Sequence, residues 1–221
     1  TCPYRLTDAR DIADADDSLH LMPLNLFRRL IASMAHAGVK SVFLTGGGEP
    51  LLHPDLVTMA EELRAAGLVW GLFTNGITLS PELAEALFRA KPGFFRVSLD
   101  AGNPTLYRKV YATSPETFER VKSNVIAAGR VAAKLAYNWF GVGFAVTPNT
   151  PVEDLADMRD TFIELVEKSE FGVNLASFRP RVIHHHHNKV VAPQRFHGRY
   201  RELAQLIRDE IEFPVKERFG D

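Results

Sequence analysis

Between Leu24 and about Asp209, short runs rich in β-branched and aromatic residues alternate with longer amphipathic stretches. That alternation restricts the chain to repeated βα units carrying parallel strands. A first helix is expected over Leu24 to Ala37, with Leu26, Phe27, Leu30, Ile31 and Met34 on one apolar face and Gly38 ending it. A strand follows at Val39 to Thr45 and ends in the turn Gly46-Gly47-Gly48-Glu49-Pro50, after which a helix opens at Pro54. The cycle repeats with strand Val69 to Thr74, turn Asn75-Gly76 and helix Pro81 to Ala90 capped by Ser80, then strand Phe94 to Leu99 and Asp100-Ala101-Gly102. Helix Pro115 to Gly129, a strand near Tyr137 to Val146, helix Val152 to Lys168 and strand Val173 to Phe178 come next, and a last helix runs from about Gln194 to Ile211, stopped by Pro214.

These runs make five strands, with a further one expected ahead of Cys2. The expected fold class is therefore α/β, a partial (βα)6 TIM-like barrel with parallel strands whose first strand is missing. No Ser/Gly linker interrupts the pattern, so residues 1–221 read as one domain, with about 182–221 a closing loop and helix. Lys and Arg number 26 against 27 Asp and Glu, a net charge of -1 that offers no electrostatic argument for nucleic acid or an anionic membrane. The longest apolar runs, such as Val39 to Thr45, fall well short of the roughly 20 residues that a membrane helix needs. The single cysteine, Cys2, excludes an internal disulfide framework and fits a reducing, cytoplasmic location. The first residue is Thr, so a start lost upstream of Thr1 is part of the same expectation.

Parallel βα folds place their reactive groups at the carboxyl ends of the strands. The suggestive residues collect there: Gly46 to Glu49, Asn75, Ser98 with Asp100, Thr147 with Asn149, and Arg179. Consecutive glycines let the backbone turn sharply and approach a ligand closely, and a neighbouring carboxylate can pair with an amine. On those grounds alone the segment also fits an ordinary tight turn with a solvated glutamate.

In context, Thr45-Gly46-Gly47-Gly48-Glu49-Pro50-Leu51-Leu52 resembles the glycine–glycine–glutamate segment of the radical S-adenosylmethionine superfamily. Phe73-Thr74-Asn75-Gly76 is similar to that family's third-strand turn, and Val97-Ser98-Leu99-Asp100-Ala101 to its fourth-strand segment. Gly141-Val142-Gly143-Phe144-Ala145-Val146 resembles the segment that lies along the adenine. The resemblance runs in order from Cys2 to about Arg181. It implies cofactor-binding roles for Gly46, Gly47, Gly48, Glu49, Asn75, Ser98, Asp100, Gly143 and Arg179 toward S-adenosyl-L-methionine. It also implies a 4Fe-4S cluster, an external electron donor and a 5′-deoxyadenosyl radical that abstracts hydrogen from a small-molecule or peptide substrate. No residue is singled out as catalytic.

The family's cluster is held by three cysteines spaced C-x-x-x-C-x-x-C, and this chain has Cys2 alone. Two registers fit it: Cys2 as the last of three, the others lying upstream, or Cys2 as the middle one, with Pro3-Tyr4 following and Arg5 in the third position. One thiolate cannot hold the cluster, so the fragment itself is expected to be inactive. His184 to His187 read as an exposed polar loop, because four consecutive histidines do not converge on one metal in a strand or a helix. Tyr137, Asn138 and Trp139 read as rim packing. Two other classes stay open: an inert relative that keeps the pocket as a binding scaffold, and an ordinary (βα) barrel lyase or phosphate-binding enzyme whose Gly-rich turn serves a phosphate. Against the latter, no lysine sits at a predicted strand end for a Schiff base.

Overall fold

The computed structural model describes residues 21–45, 48–146, 150–169, 176–180, 202 and 204–219, without the side chains of 145 and 176–180. Among these residues the elements are α1 (Leu24–His36), β1 (Ser41–Leu44), a 3-10 turn (Pro50–Leu52), α2 (Leu56–Ala65), β2 (Val69–Thr74), α3 (Pro81–Arg89), β3 (Phe94–Ser98), α4 (Pro104–Tyr111), α5 (Pro115–Lys134), β4 (Phe140–Val146), α6 (Val152–Ser169), β5 (Ala176–Pro180), a π-helical turn (Arg208–Glu212) and α7 (Phe213–Phe219).

The five strands form one sheet in the order β1-β2-β3-β4-β5, every pair parallel. Consecutive parallel strands joined by right-handed helical crossovers place the helices on one face and curl the other toward an axis, which is the winding of a (βα) barrel. Residue parity follows from it. Trp70, Leu72, Phe95, Val97, Phe140, Val142, Phe144 and Val146 point outward and are all but fully buried beneath the helices. Gly71, Phe73, Phe94, Arg96, Ser98, Gly141 and Gly143 share the other, axis-facing side through the strand registers.

The outward layer is sealed by helix faces built at 3.6-residue spacing. On α5 these are Phe118, Val121, Val125, Ala128 and Ala132; on α6, Leu155, Met158, Phe162 and Leu165. Tyr137 packs behind this layer, 8% exposed, and donates its hydroxyl to Pro92 O at 3.0 Å, whereas Trp139 stands 66% exposed at the amino end of β4.

Several boundaries differ from the sequence expectation. Pro54 does not open a helix: Pro50 first drives the 3-10 turn, and α2 begins two residues later, at Leu56. Helix α4 was not anticipated; Asn103 caps it by accepting from Leu106 N at 2.8 Å, with Pro104 in its first turn. Helix α5 runs on to Lys134 rather than ending at Gly129, and among the described residues β5 covers Ala176–Pro180, overlapping the expected strand and continuing two residues past Phe178. Pro214 does not stop the last helix. The π turn precedes it, with Phe213 N–H reaching back to Arg208 O, and α7 continues through Pro214 while Ile207, Ile211 and Val215 stay buried. A wider turn can accommodate a proline whose ring would clash in a regular helix. None of the helices, among the described residues, is long and apolar enough to cross a membrane.

Candidate functional site at the strand ends

Glu49 leaves β1 in an extended conformation and caps the 3-10 turn, its Oε1 accepting from Leu51 N at 3.1 Å. The same oxygen accepts from the Thr74 hydroxyl, and Oε2 accepts from Asn75 N at 2.8 Å. The glutamate therefore spans from the loop after β1 to the carboxyl end of β2. That end is itself braced: Thr74 Oγ1 accepts from Gly76 N at 3.0 Å and Asn75 Oδ1 from Ile77 N at 2.9 Å. From α5, Asn124 Nδ2 donates to Gly76 O at 2.9 Å and Ile77 O at 3.0 Å. Gly76 has φ +74, and a β-carbon there would fall 2.7 Å from Val97 Cγ1, so both backbone and packing require glycine.

At the end of β3, Ser98 pairs in register with Gly143 of β4. Gly143 O then accepts from both Leu99 N at 3.0 Å and Asp100 N at 3.1 Å, and the ladder ends there. Asp100 takes the left-handed conformation, φ +55, which aspartate tolerates better than most residues. The residue is 9% exposed, and Oδ2 accepts from the Tyr111 hydroxyl at 2.6 Å, which also donates to Ser98 O at 3.0 Å. Tyr107, one turn earlier on α4, is fully buried with a hydroxyl that has no hydrogen-bond partner among the described residues. Burial, followed by the charge of Asp100, pushes its phenol up to about 12.

The structure thus brings Glu49 and Asn75 into direct contact and joins Ser98, Asp100 and Gly143 at the neighbouring strand ends. Gly48 belongs to the same rim, and a β-carbon there would meet nothing within 4 Å. Arg179 lies in β5 opposite Ala145, two positions beyond the Gly143 and Ser177 pair. Its side chain lies outside the described residues, as do Cys2, Arg5, Gly46, Gly47, Thr147, Asn149 and His184 to His187. Sequence reasoning missed Tyr111 and Asn124 as members of this site. The Asn103-Pro104 pair signalled the helix carrying Tyr111, whereas nothing local to Asn124 marks it.

Glu49 is the group that would meet the amino end of a nucleoside carrying a methionine moiety. Among the described residues, Leu51 N and the Thr74 hydroxyl both donate to Oε1, and a single hydrogen bond, from Asn75 N, is found on Oε2. A carboxylate offers about four lone-pair sites, so Oε2 can accept a further donor such as an ammonium. No group of three or more His, Cys, Asp or Glu residues is placed to hold a metal among the described residues. With one cysteine in the chain, an iron–sulfur cluster would take a single thiolate from it, at Cys2.

A family model described as the Radical SAM superfamily matches residues 8–143, more than half of the chain. A protein named "Probable GTP 3',8-cyclase" from Methanopyrus kandleri is 32% identical over 154 residues, 69% of this chain and 48% of its own. An AdoMet-dependent heme synthase from Methanosarcina barkeri is 34% identical over 98 residues, 44% of this chain and 28% of its own. The chain spans about half or less of the length of these curated relatives. Streptococcus suis SuiB bound to S-adenosylmethionine superposes with a TM-score of 0.57 at 12% identity, over 85% of this chain and 41% of that one, a likeness of fold. Its strand-end motifs, its parallel βα winding and the family match agree: this chain belongs to the radical SAM superfamily.

Proposed function

We propose that this chain is the core of a radical SAM enzyme whose strand-end rim holds S-adenosyl-L-methionine beside a 4Fe-4S cluster. What the cofactor pair supplies when bound is one-electron cleavage of the sulfonium and hydrogen abstraction from a substrate. The residues of this chain bind and orient. Glu49 Oε2 takes the ammonium of the methionine moiety, with Gly46, Gly47 and Gly48 offering backbone groups unshielded by side chains. The Ser98 hydroxyl, on the axis-facing side of β3, takes a ribose or carboxylate oxygen. Gly143, lacking a side chain, leaves space for the adenine, and Arg179 serves the far edge of the rim. Asp100, anchored to Tyr111, acts by fixing the end of β3.

Cys2 supplies one thiolate to the cluster, the others belonging to a longer protein. An external donor provides the electron, and a reducing compartment such as the cytoplasm keeps the thiolate available. The names of the relatives place a GTP cyclisation and a heme synthesis among such enzymes. We take the whole protein's substrate to be a small molecule or a peptide.

The observation that carries this reading is the bonding of Glu49 to both Thr74 and Asn75, which sets a carboxylate at the junction of two strand ends. Equilibrium binding of S-adenosylmethionine to the chain and to Glu49→Gln tests it. Weakening by tenfold or more with the fold intact is expected; equal binding would refute the role.

A further inference from the structure

At the amino ends of β2, β3 and β4, the end of the sheet opposite the rim, the chain forms a groove of about 920 Å3. Arg64, Arg89 and Lys91 line it, and no carboxylate does among the described residues. Its apolar wall includes Val69, Pro92 and Trp139, of which Val69 is 57% and Trp139 66% exposed. Both of these stand on fixed backbone: Val69 N donates to Lys40 O at 3.0 Å, and Trp139 O accepts from Phe95 N at 2.8 Å. A firmly held, exposed tryptophan beside arginines is the composition of a protein-binding hot spot.

Two of the three cations have a local explanation. Arg64 and Arg89 close the last turns of α2 and α3, where positive charge offsets the negative end of the helix. Arg89 is also paired with Glu85 at 2.6 Å, and Arg64 Nη1 donates to Arg89 O at 2.8 Å. Lys91 has no such account. It follows the Ala90 cap of α3 in the left-handed conformation, φ +51, whereas the residues at the same place after α1 and α2 are Gly38 and Gly67, at φ +76 and +72. A side chain is strained there and glycine is not. No ion pair to Lys91 is found among the described residues. The fold thus keeps a charge at the groove where its own backbone favours glycine.

We propose that this groove docks an acidic peptide segment of a partner protein, with carboxylates on Arg64 and Lys91 and an apolar side chain against Trp139. Cations without a lining carboxylate select the acidic partner. A small molecule needs walls that enclose it, and walls more than half exposed suit a length of chain instead. The six residues of β2, at ~3.3 Å each, set the groove about 20 Å from the strand's carboxyl end, so the partner leaves the rim open.

The test titrates a fluorescein-labelled peptide of alternating glutamate and leucine into the chain and reads anisotropy, with a lysine–leucine peptide and a single-stranded oligonucleotide for comparison. Saturable binding of the glutamate peptide is expected, weakening as salt rises. Trp139→Ser should raise its Kd at least tenfold. Lys91→Gly should raise it about threefold or more, while the thermal midpoint of the chain stays level or rises as backbone strain is relieved. That combination separates docking from a structural role. Of the two tryptophans, Trp70 is 1% exposed, so acrylamide quenching reads Trp139, which the peptide should shield. No saturable binding at low salt, equal binding of the lysine peptide, or a Kd unchanged in both variants would overturn the proposal. So would tighter binding of the oligonucleotide that the same variants abolish, which would make the groove a nucleic-acid site. Shielding of Trp139 that grows with the concentration of the chain alone would seat a second copy there and overturn it as well.

Discussion

Glu49 Oε2 lies 2.8 Å from the backbone N of Asn75, and through this bond the loop after β1 is tied to the end of β2. Two segments 26 residues apart in sequence become one surface. Its rigidity then depends on what braces the Asn75 turn from behind, and that is Asn124.

Asn124→Ala removes both donors to Gly76 O and Ile77 O. Leaving part-buried carbonyls without these partners should cost about 1–3 kcal/mol, measured by urea unfolding. Because the turn also positions Asn75, binding of S-adenosylmethionine should weaken with it. A stable variant with unchanged binding would show that the turn holds its shape unaided.

The two tyrosines of α4 should respond in opposite ways. Tyr111→Phe deletes the hydrogen bond to a buried carboxylate, Asp100 Oδ2, and is expected to cost about 1.5–3 kcal/mol as a bond to a charged group. Tyr107→Phe removes a buried hydroxyl with no hydrogen-bond partner among the described residues, so stability should stay level or rise by up to ~1 kcal/mol. Thermal unfolding of the two variants side by side decides it, and an equal loss in both would contradict this account of Asp100.

Glu164 links α5 to α6, accepting from Lys122 and Lys168 at 2.6 Å each. Burial alone would push its carboxyl up, but the hydrogen bonds and charges of the two lysines outweigh it and hold the group below its ordinary value. A carboxyl depressed in the folded state contributes stability in full above the ordinary carboxylate range and loses it as pH falls through the folded value. Wild type should therefore exceed Glu164→Gln by about 1 kcal/mol near pH 7, with the gap closing in acid. A gap that is constant with pH would rule out the charged pair as its source.

Much of this architecture is legible in the residues. Strand Val69–Thr74 and the Ser80 cap with Pro81 follow from local pattern alone, and βα alternation is enough to put Glu49, Asn75 and Ser98 on one rim. Less legible is anything set by partners far along the chain. Asp100 turns to Tyr111 on a helix that its Asn103 cap signals only weakly, and Asn124 reaches back 48 residues to Gly76. Pro214 misleads because a π turn, which has no simple sequence signature, lets the helix run through it. The side of β3 that carries Arg96 becomes visible only once strand parity and its close approach to Gly143 are known.

The most direct measurement is backbone hydrogen exchange with and without saturating S-adenosylmethionine, in the chain and in Glu49→Gln. The account predicts that the ligand slows exchange at Gly48, Asn75, Leu99 and Asp100, and that Glu49→Gln abolishes this protection while leaving the amides of β2 and β3 as slow as before. Protection confined to the opposite, amino ends of the strands, or protection that survives intact in Glu49→Gln, would contradict it.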